Sequence, residues 1–195
     1  TVATAFVYLL GAAMLNRLAV ILSFPVLAVL LGYSYTKRFT YLSHFVLGFS
    51  LGCAPVAVWV AVTATIPFVS LLLCAAVTFW VGGFDIVYSI QDYEFDRREQ
   101  LRSFPARFGI TGAFTAARYC HMVSMAFFIL TGIYGGMGFF YYIGLLLIGS
   151  VLTYEHHILE KHGLSRIDMA FFTLNGIVSI FFFIFSVADI FVRRS

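Results

Sequence analysis

Between Phe39 and Phe84 the chain reads FTYLSHFVLGFSLGCAPVAVWVAVTATIPFVSLLLCAAVTFWVGGF, with no Asp, Glu, Lys or Arg anywhere in the run. A bilayer core is crossed by about 20 apolar residues in a helix, so this stretch is long enough to cross twice. The turn belongs near Ala64–Pro67, because proline fits the start of a helix, where its missing N–H costs nothing. Alternation is absent and the run is too long for a strand. In lipid the remaining choices are a helix bundle or a closed barrel, and the bundle is the one this pattern supports.

Working outward, Leu18–Thr36 and Tyr119–Tyr154 are also free of charge, the second broken at Gly135-Gly136-Met137-Gly138, and a last apolar stretch lies between Asp168 and Asp189. Together with the apolar piece ahead of Asn16-Arg17 this predicts seven segments, near 1–15, 18–36, 43–63, 67–91, 113–134, 139–159 and 168–191. The expected fold class is therefore an all-α polytopic transmembrane bundle forming a single domain over 1–195. Composition agrees: 62% of residues are hydrophobic and 11% charged, against roughly a quarter charged in soluble domains. The solvent is the lipid bilayer.

Alternating the segments puts Lys37, Arg38, Arg97, Arg98, Arg102, Arg107, Lys161 and Arg166 on one side, and Arg17, Arg193 and Arg194 on the other. By the positive-inside rule the first side is cytoplasmic. Tyr33, Tyr35, Tyr141 and Tyr142 fall near segment ends, as in an interfacial belt. A formal charge of +3 is too small to call for nucleic acid as a partner. Cys53, Cys74 and Cys120 sit in apolar stretches without metal-ligand spacing, so they read as small apolar fillers.

Charge concentrates in one place: 8 of the 21 charged residues lie between Asp92 and Arg107. Asp85 precedes them inside the apolar span. On one continuous helix, positions 85, 92 and 96 share a face. Carboxylates at i, i+4 repel, and a carboxylate within a membrane helix costs on the order of 2.5–3.5 kcal/mol. A cation between them resolves both problems. Oxygen-only ligands suit a hard ion such as Mg²⁺, which uses one or two carboxylates plus substrate phosphates. Arg38, Arg102 and Arg107 would then meet phosphate oxygens through paired hydrogen bonds. The bland alternative is a solvated loop in which Asp92, Glu94 and Asp96 pair with Arg97 and Arg98.

The run Phe84-Asp85-Ile86-Val87-Tyr88-Ser89-Ile90-Gln91-Asp92-Tyr93-Glu94-Phe95-Asp96, followed by Arg102-Ser103-Phe104-Pro105-Ala106-Arg107-Phe108-Gly109, resembles the second aspartate-rich motif of the UbiA prenyltransferase superfamily. The branches nearest in pattern are the bacterial 4-hydroxybenzoate and menaquinone-pathway enzymes. Further anchors are Gly32–Thr40, Leu164-Ser165-Arg166 and Ala170-Phe171-Phe172-Thr173-Leu174-Asn175. The resemblance implies nine transmembrane helices, of which about seven are present. It also implies Mg²⁺-dependent transfer of a polyprenyl group from its diphosphate to an aromatic acid acceptor, in ubiquinone or menaquinone biosynthesis. It assigns metal binding to Asp92 and Asp96, diphosphate binding to Arg38, Lys37 and Arg102, and an acidic site position to Asp85. Tyr88 and Asn175 become candidates for contact with acceptor or prenyl chain. The expected location is the bacterial cytoplasmic membrane, with the site facing the cytoplasm.

Three departures stand out. Ser89 replaces an aspartate found in some branches, Arg102 replaces a frequent lysine, and nothing before Asp85 is acidic. The first aspartate-rich motif is therefore absent, which implies an N-terminally incomplete domain lacking two helices and inactive alone. Rival readings are a transporter using Asp85, Asp168 and Asp189, a haem protein using histidines among His44, His121, His156, His157 and His162, and a non-catalytic membrane subunit. The histidines read more simply as interfacial polar residues.

Overall fold

The computed structural model describes residues 1–194. The side chains at positions 162, 164, 170, 171 and 194 lie outside the description, among them His162 and Arg194 of the sequence reading. The chain forms α1 (Val2–Leu15), α2 (Arg17–Gly32), α3 (Ser43–Thr63), α4 (Phe68–Tyr88), the short α5 (Tyr93–Arg98), α6 (Phe104–Tyr134), α7 (Phe139–His162) and α8 (Asn175–Arg194). No strand occurs among the described residues. Among the described residues six stretches are long and apolar enough to cross a membrane: Arg17–Arg38, Ser43–Thr63, Phe68–Arg98, Phe104–Tyr134, Phe139–Lys161 and Phe172–Arg193. The chain is thus an integral, multi-pass membrane protein. The first expected segment is real, but α1 has 14 residues, about 21 Å at 1.5 Å per residue, short of a hydrocarbon core.

Turn chemistry sets the helix ends. At the α3–α4 corner Ala64 takes the left-handed conformation (φ 54°) and donates its N–H back to Val60 O, and Pro67 sits just ahead of Phe68. Asn16 starts α2 by accepting from the Ala19 N–H, and its amide donates to Val60 O at 2.7 Å, locking that corner to α3. The sixth helix begins at Phe104, earlier than the expected 113: Ser103 accepts from the Ala106 N–H and Pro105 occupies the first turn. Gly109 (φ 75°, ψ 170°) breaks the helical path, so a one-turn amphipathic piece precedes the long apolar part.

The helices alternate up and down, with α4 at the centre against α3 and α6. Contact with α3 is made through glycine. A Cβ at Gly52 would lie 2.6 Å from the Cys74 carbonyl oxygen, and one at Gly48 would collide with the Thr78 carbonyl. Small residues let backbones approach closely where lipid gives no hydrophobic drive to association. Behind α4, Ile86, Val87 and Ile90 pack with Ala113, Ala117, Cys120 and Leu159. A second apolar cluster joins Ala76, Phe128, Tyr141, Leu145 and Val178.

Two local expectations change. Tyr141 is a core residue, not part of a belt: it is buried and its hydroxyl donates to Phe128 O at 2.8 Å. Three histidines are interior, not interfacial. His44 pairs with Asp85, while His121 Nδ1 and His156 Nε2 share a hydrogen bond of 3.0 Å. Opposite ligands of one metal would need about 4 Å between nitrogens, so this pair is not a haem clamp. Cys74 and Cys120 are buried and all three thiols are free, as packing residues require.

Candidate active site

The charged segment does not continue α4 as a single helix. After Tyr88 the backbone tightens into a 3₁₀ turn over Ser89–Asp92 before α5 resumes. A 3₁₀ turn winds about 120° per residue against about 100° in an α-helix, so the phase assumed for positions 85, 92 and 96 is lost. The shared face of the sequence reading is corrected accordingly. Asp85 leaves in one direction and is held by His44, with Nδ1 to Oδ2 at 2.6 Å. Asp92 and Asp96 turn together toward a third segment, residues 33–42.

That third segment supplies Lys37. It lies in a 3₁₀ turn (Tyr33–Arg38) that closes α2, and its ammonium stands 3.8 Å from Asp92 Oδ2 and 3.7 Å from Asp96 Oδ2. The turn is fastened to the far loop by two bonds. The Arg102 backbone N–H donates to Lys37 O at 2.7 Å, and the Arg102 guanidinium donates to Phe39 O at 2.8 Å. The two carboxylates differ in setting: the Asp92 side chain is 57% exposed, whereas Asp96 is buried to 1%. Asp96 Oδ2 has no hydrogen-bond partner. It has a charge neighbour at 3.7 Å, beyond hydrogen-bond length, so its lone pairs remain available.

The end of α5 shapes the site. The Leu101 N–H donates to Asp96 O at 2.8 Å and the Gln100 N–H to Arg97 O, with Gln100 in the left-handed region (φ 55°). This is the Schellman arrangement, normally closed by glycine. Beside it a cleft of about 490 Å³ is lined by Tyr41, Asp96, Arg97, Gln100, Leu101, Arg102, Ala106 and Arg107. A buried carboxylate and three guanidinium groups therefore face one hollow. The self-paired loop is not what forms: Arg97 donates to the Tyr93 hydroxyl at 3.1 Å, and the acidic pair takes its cation from Lys37.

Of the other expected residues, Arg38 rests over the Tyr35 ring at 5.8 Å and is not among the cleft residues. Tyr88 packs half-buried against the Ile86 cluster. Asn175 is buried and its amide oxygen accepts from Trp80 Nε1 at 2.9 Å, and it is not among the cleft residues. Asp189, named in the transporter reading, has a structural duty. Its carboxylate accepts from the Gly138 N–H at 2.6 Å and the Tyr141 N–H at 3.3 Å, capping α7 from α8.

The residue that sequence reasoning passed over is His44. It is fully buried, donates from Nδ1 to Asp85, and accepts the Phe104 N–H at Nε2 (3.3 Å). One imidazole thus ties the starts of α3 and α6 to the end of α4. The signal was present: a carboxylate inside a span demands a partner, and His44 is the sole basic side chain of α3.

Two carboxylates converging on one cation position, with oxygen donors only, fit a hard divalent ion that completes its shell with phosphate and water. No group of three or more His, Cys, Asp or Glu suited to a metal occurs among the described residues, so a cage made wholly of protein is not what this geometry offers.

Comparison with known proteins places this arrangement. The chain is 29% identical to a 4-hydroxybenzoate octaprenyltransferase of Nitrosospira multiformis, over 84% of this chain and 56% of that protein. It is 32% identical to the enzyme of the same name from Xanthomonas campestris pv. campestris, over 74% and 48%. The chain spans about half the length of these relatives. Among solved structures it superposes on the apo form of a UbiA homolog from Aeropyrum pernix K1 with a TM-score of 0.83 and 33% identity, covering 97% of this chain and 70% of the other. A structure of digeranylgeranylglyceryl phosphate synthase shares the fold at 18% identity (TM-score 0.73, 95% and 66% covered). The family model described as the UbiA prenyltransferase family matches residues 1–186, and this chain belongs to that family.

Proposed function

We propose that this chain provides the diphosphate-binding half of a polyprenyltransferase site. It would act on an isoprenyl diphosphate and an aromatic acid acceptor of the hydroxybenzoate type, in quinone biosynthesis. The observation that carries the reading is the convergence of Asp92 and the buried Asp96 on one cation position, beside a cleft faced by Arg97, Arg102 and Arg107. Asp92 and Asp96 would hold Mg²⁺, which when bound neutralises charge on the leaving diphosphate as a Lewis acid.

The chain's own groups do the rest. Lys37 adds a mobile ammonium, and beside it Arg102, braced on Phe39 O, places fixed positive charge where the departing diphosphate accumulates negative charge. Preorganised charge of this kind lowers a barrier because nothing must reorient at the moment of reaction. Arg38 is a further diphosphate contact. Asp85, aimed by its bond from His44, orients the acceptor hydroxyl. Tyr88 and Asn175 are the proposed contacts to acceptor and prenyl chain, on the α4 and α8 sides of the bundle.

The membrane placement follows from the ends of the spans. The segments at 33–42 and 89–103, joined by the Arg102 bonds, carry Lys37, Arg38, Arg97, Arg98 and Arg102, five of the chain's 12 Lys and Arg, and Arg107 follows close by. On the positive-inside rule this end faces the cytoplasm, and the host membrane is the bacterial cytoplasmic membrane.

The test uses the purified chain in nanodiscs with geranylgeranyl diphosphate and 4-hydroxybenzoate. Binding of the diphosphate is expected to require Mg²⁺ and to be lost in Asp92→Ala and Asp96→Ala. Metal-independent binding that both variants retain would remove the assignment. Prenylated hydroxybenzoate formed by this chain alone would show that its single aspartate pair suffices for the chemistry.

A further inference from the structure

The ammonium of Lys37 stands where a cation serving both carboxylates would stand, 3.8 Å from one and 3.7 Å from the other. A committed ion pair closes to roughly 2.7–2.9 Å and hydrogen-bonds. This one does neither, and Asp96 Oδ2 is left buried without a hydrogen bond. Lys37 is therefore a charge held near the pair and not a bond made to it.

We propose that Lys37 is an exchangeable counter-ion which keeps Asp92 and Asp96 from retaining a divalent ion alone, so that metal enters this site only with a diphosphate. The inference rests on the reading of Asp92 and Asp96 as a cation site, and deepens it by fixing how that site is filled.

Four features support it. First, a buried carboxylate needs compensating charge whenever no metal is present, because an uncompensated charge in a low-dielectric setting is costly. Among the described residues, Lys37 is the basic side chain paired with Asp96. Second, the backbone carrying Lys37 is pinned by the 2.7 Å bond from the Arg102 N–H to Lys37 O. The stem beyond it is four flexible carbons ending in a point charge. The anchor stays while the ammonium can swing. Third, two carboxylates and one ammonium sum to a single negative charge. A divalent ion added alone makes the cluster positive and forces two cations close together. A diphosphate arriving with the ion brings anionic oxygens, giving the displaced ammonium a new partner. Fourth, that partner has room beside the pair, because the cleft lined by Asp96, Arg97, Arg102 and Arg107 adjoins it.

The test measures Mn²⁺ retained by the purified chain in equilibrium dialysis, with and without inorganic diphosphate. The unmutated chain is expected to retain Mn²⁺ weakly, and diphosphate to tighten retention at least tenfold. In Lys37→Met, Mn²⁺ alone is expected to bind at least tenfold tighter, with most of the diphosphate dependence gone. Lys37→Arg, which keeps the charge, is expected to resemble the parent. Adding Asp96→Asn to Lys37→Met must abolish the gain, which ties it to this pair.

Should Lys37→Met be unstable because Asp96 has lost its neighbour, Mn²⁺ without diphosphate is expected to restore its unfolding temperature, a rescue that a merely structural lysine would not show. The proposal is overturned if Lys37→Met binds Mn²⁺ no tighter than the parent, or if Mn²⁺ retention by the parent ignores diphosphate. If no variant retains Mn²⁺ under either condition, the cation-site reading itself falls and the exchange falls with it.

Discussion

Asp96 and Asp189 are buried to the same degree, 1% each, yet they lie toward opposite ends of the bundle and are treated in opposite ways. Asp189 spends both oxygens on backbone N–H groups at the N-terminus of α7, those of the capping Gly138 and of Tyr141, where a helix leaves its donors without internal partners and favours negative charge. Asp96 has an oxygen with no hydrogen bond and an ammonium held out of bonding range. Burial alone therefore does not mark function. A satisfied buried carboxylate is a joint, and an unsatisfied one waits for something.

That contrast can be broken by exchange of effects. The largest is expected for Asp96→Asn: Mg²⁺-dependent binding of a prenyl diphosphate should fall at least about 100-fold, since one of the two proposed metal ligands loses its charge. The unfolding temperature should stay close to the parent's. Asp189→Ala should do the reverse. It strands the N–H groups of Gly138 and Tyr141 and should cost about 1–3 kcal/mol of stability, read by thermal unfolding in detergent, with diphosphate affinity little changed. If Asp189→Ala abolished binding while Asp96→Asn lowered stability, the distinction drawn here would collapse.

Smaller effects sharpen the same comparison. His44→Ala removes the donor to Asp85 and the acceptor for the Phe104 N–H. A loss of about 1–3 kcal/mol is expected, together with weaker diphosphate binding, because the α4 and α6 ends no longer share a tie. Gln100→Gly relieves a left-handed residue at the end of α5 and should raise the unfolding free energy by about 1 kcal/mol. Arg118→Ala breaks the ion pair with Glu160. Both partners are exposed, so no measurable change in unfolding temperature is expected.

The bilayer explains which parts were legible in advance. Spans announce themselves because lipid tolerates almost no charge over 20 residues, and the corner at Ala64–Pro67 and the break at Gly135–Gly138 appear where expected. The start of α6 lies earlier than hydropathy suggests because Phe104–Gly112 carries Arg107 and two glycines, Gly109 and Gly112. Its Ser103–Pro105 cap is a local signal weaker than the long uncharged run that follows. Tyr141 was misread because composition near a span end cannot say whether a ring faces lipid or a neighbouring helix.

The candidate site divides along the same line. Asp92, Asp96, Lys37 and Arg102 could be named from residue type and family pattern. Their geometry could not, because the 3₁₀ turn at Ser89–Asp92 rephases the helix and the partner of each acid lies far away in the chain. Lys37 reaches Asp96 across 59 positions, and His44 reaches Asp85 across 41.

By itself the sequence determined that this chain lives in lipid, roughly where its long spans lie, and where its charge must gather, since each follows from local hydropathy summed over one helix. The expected seventh span, α1, is too short to cross. Only the tertiary structure decided which carboxylate is a joint and which is left open, and which histidine holds Asp85. Those outcomes depend on distances between segments that meet only when the helices pack.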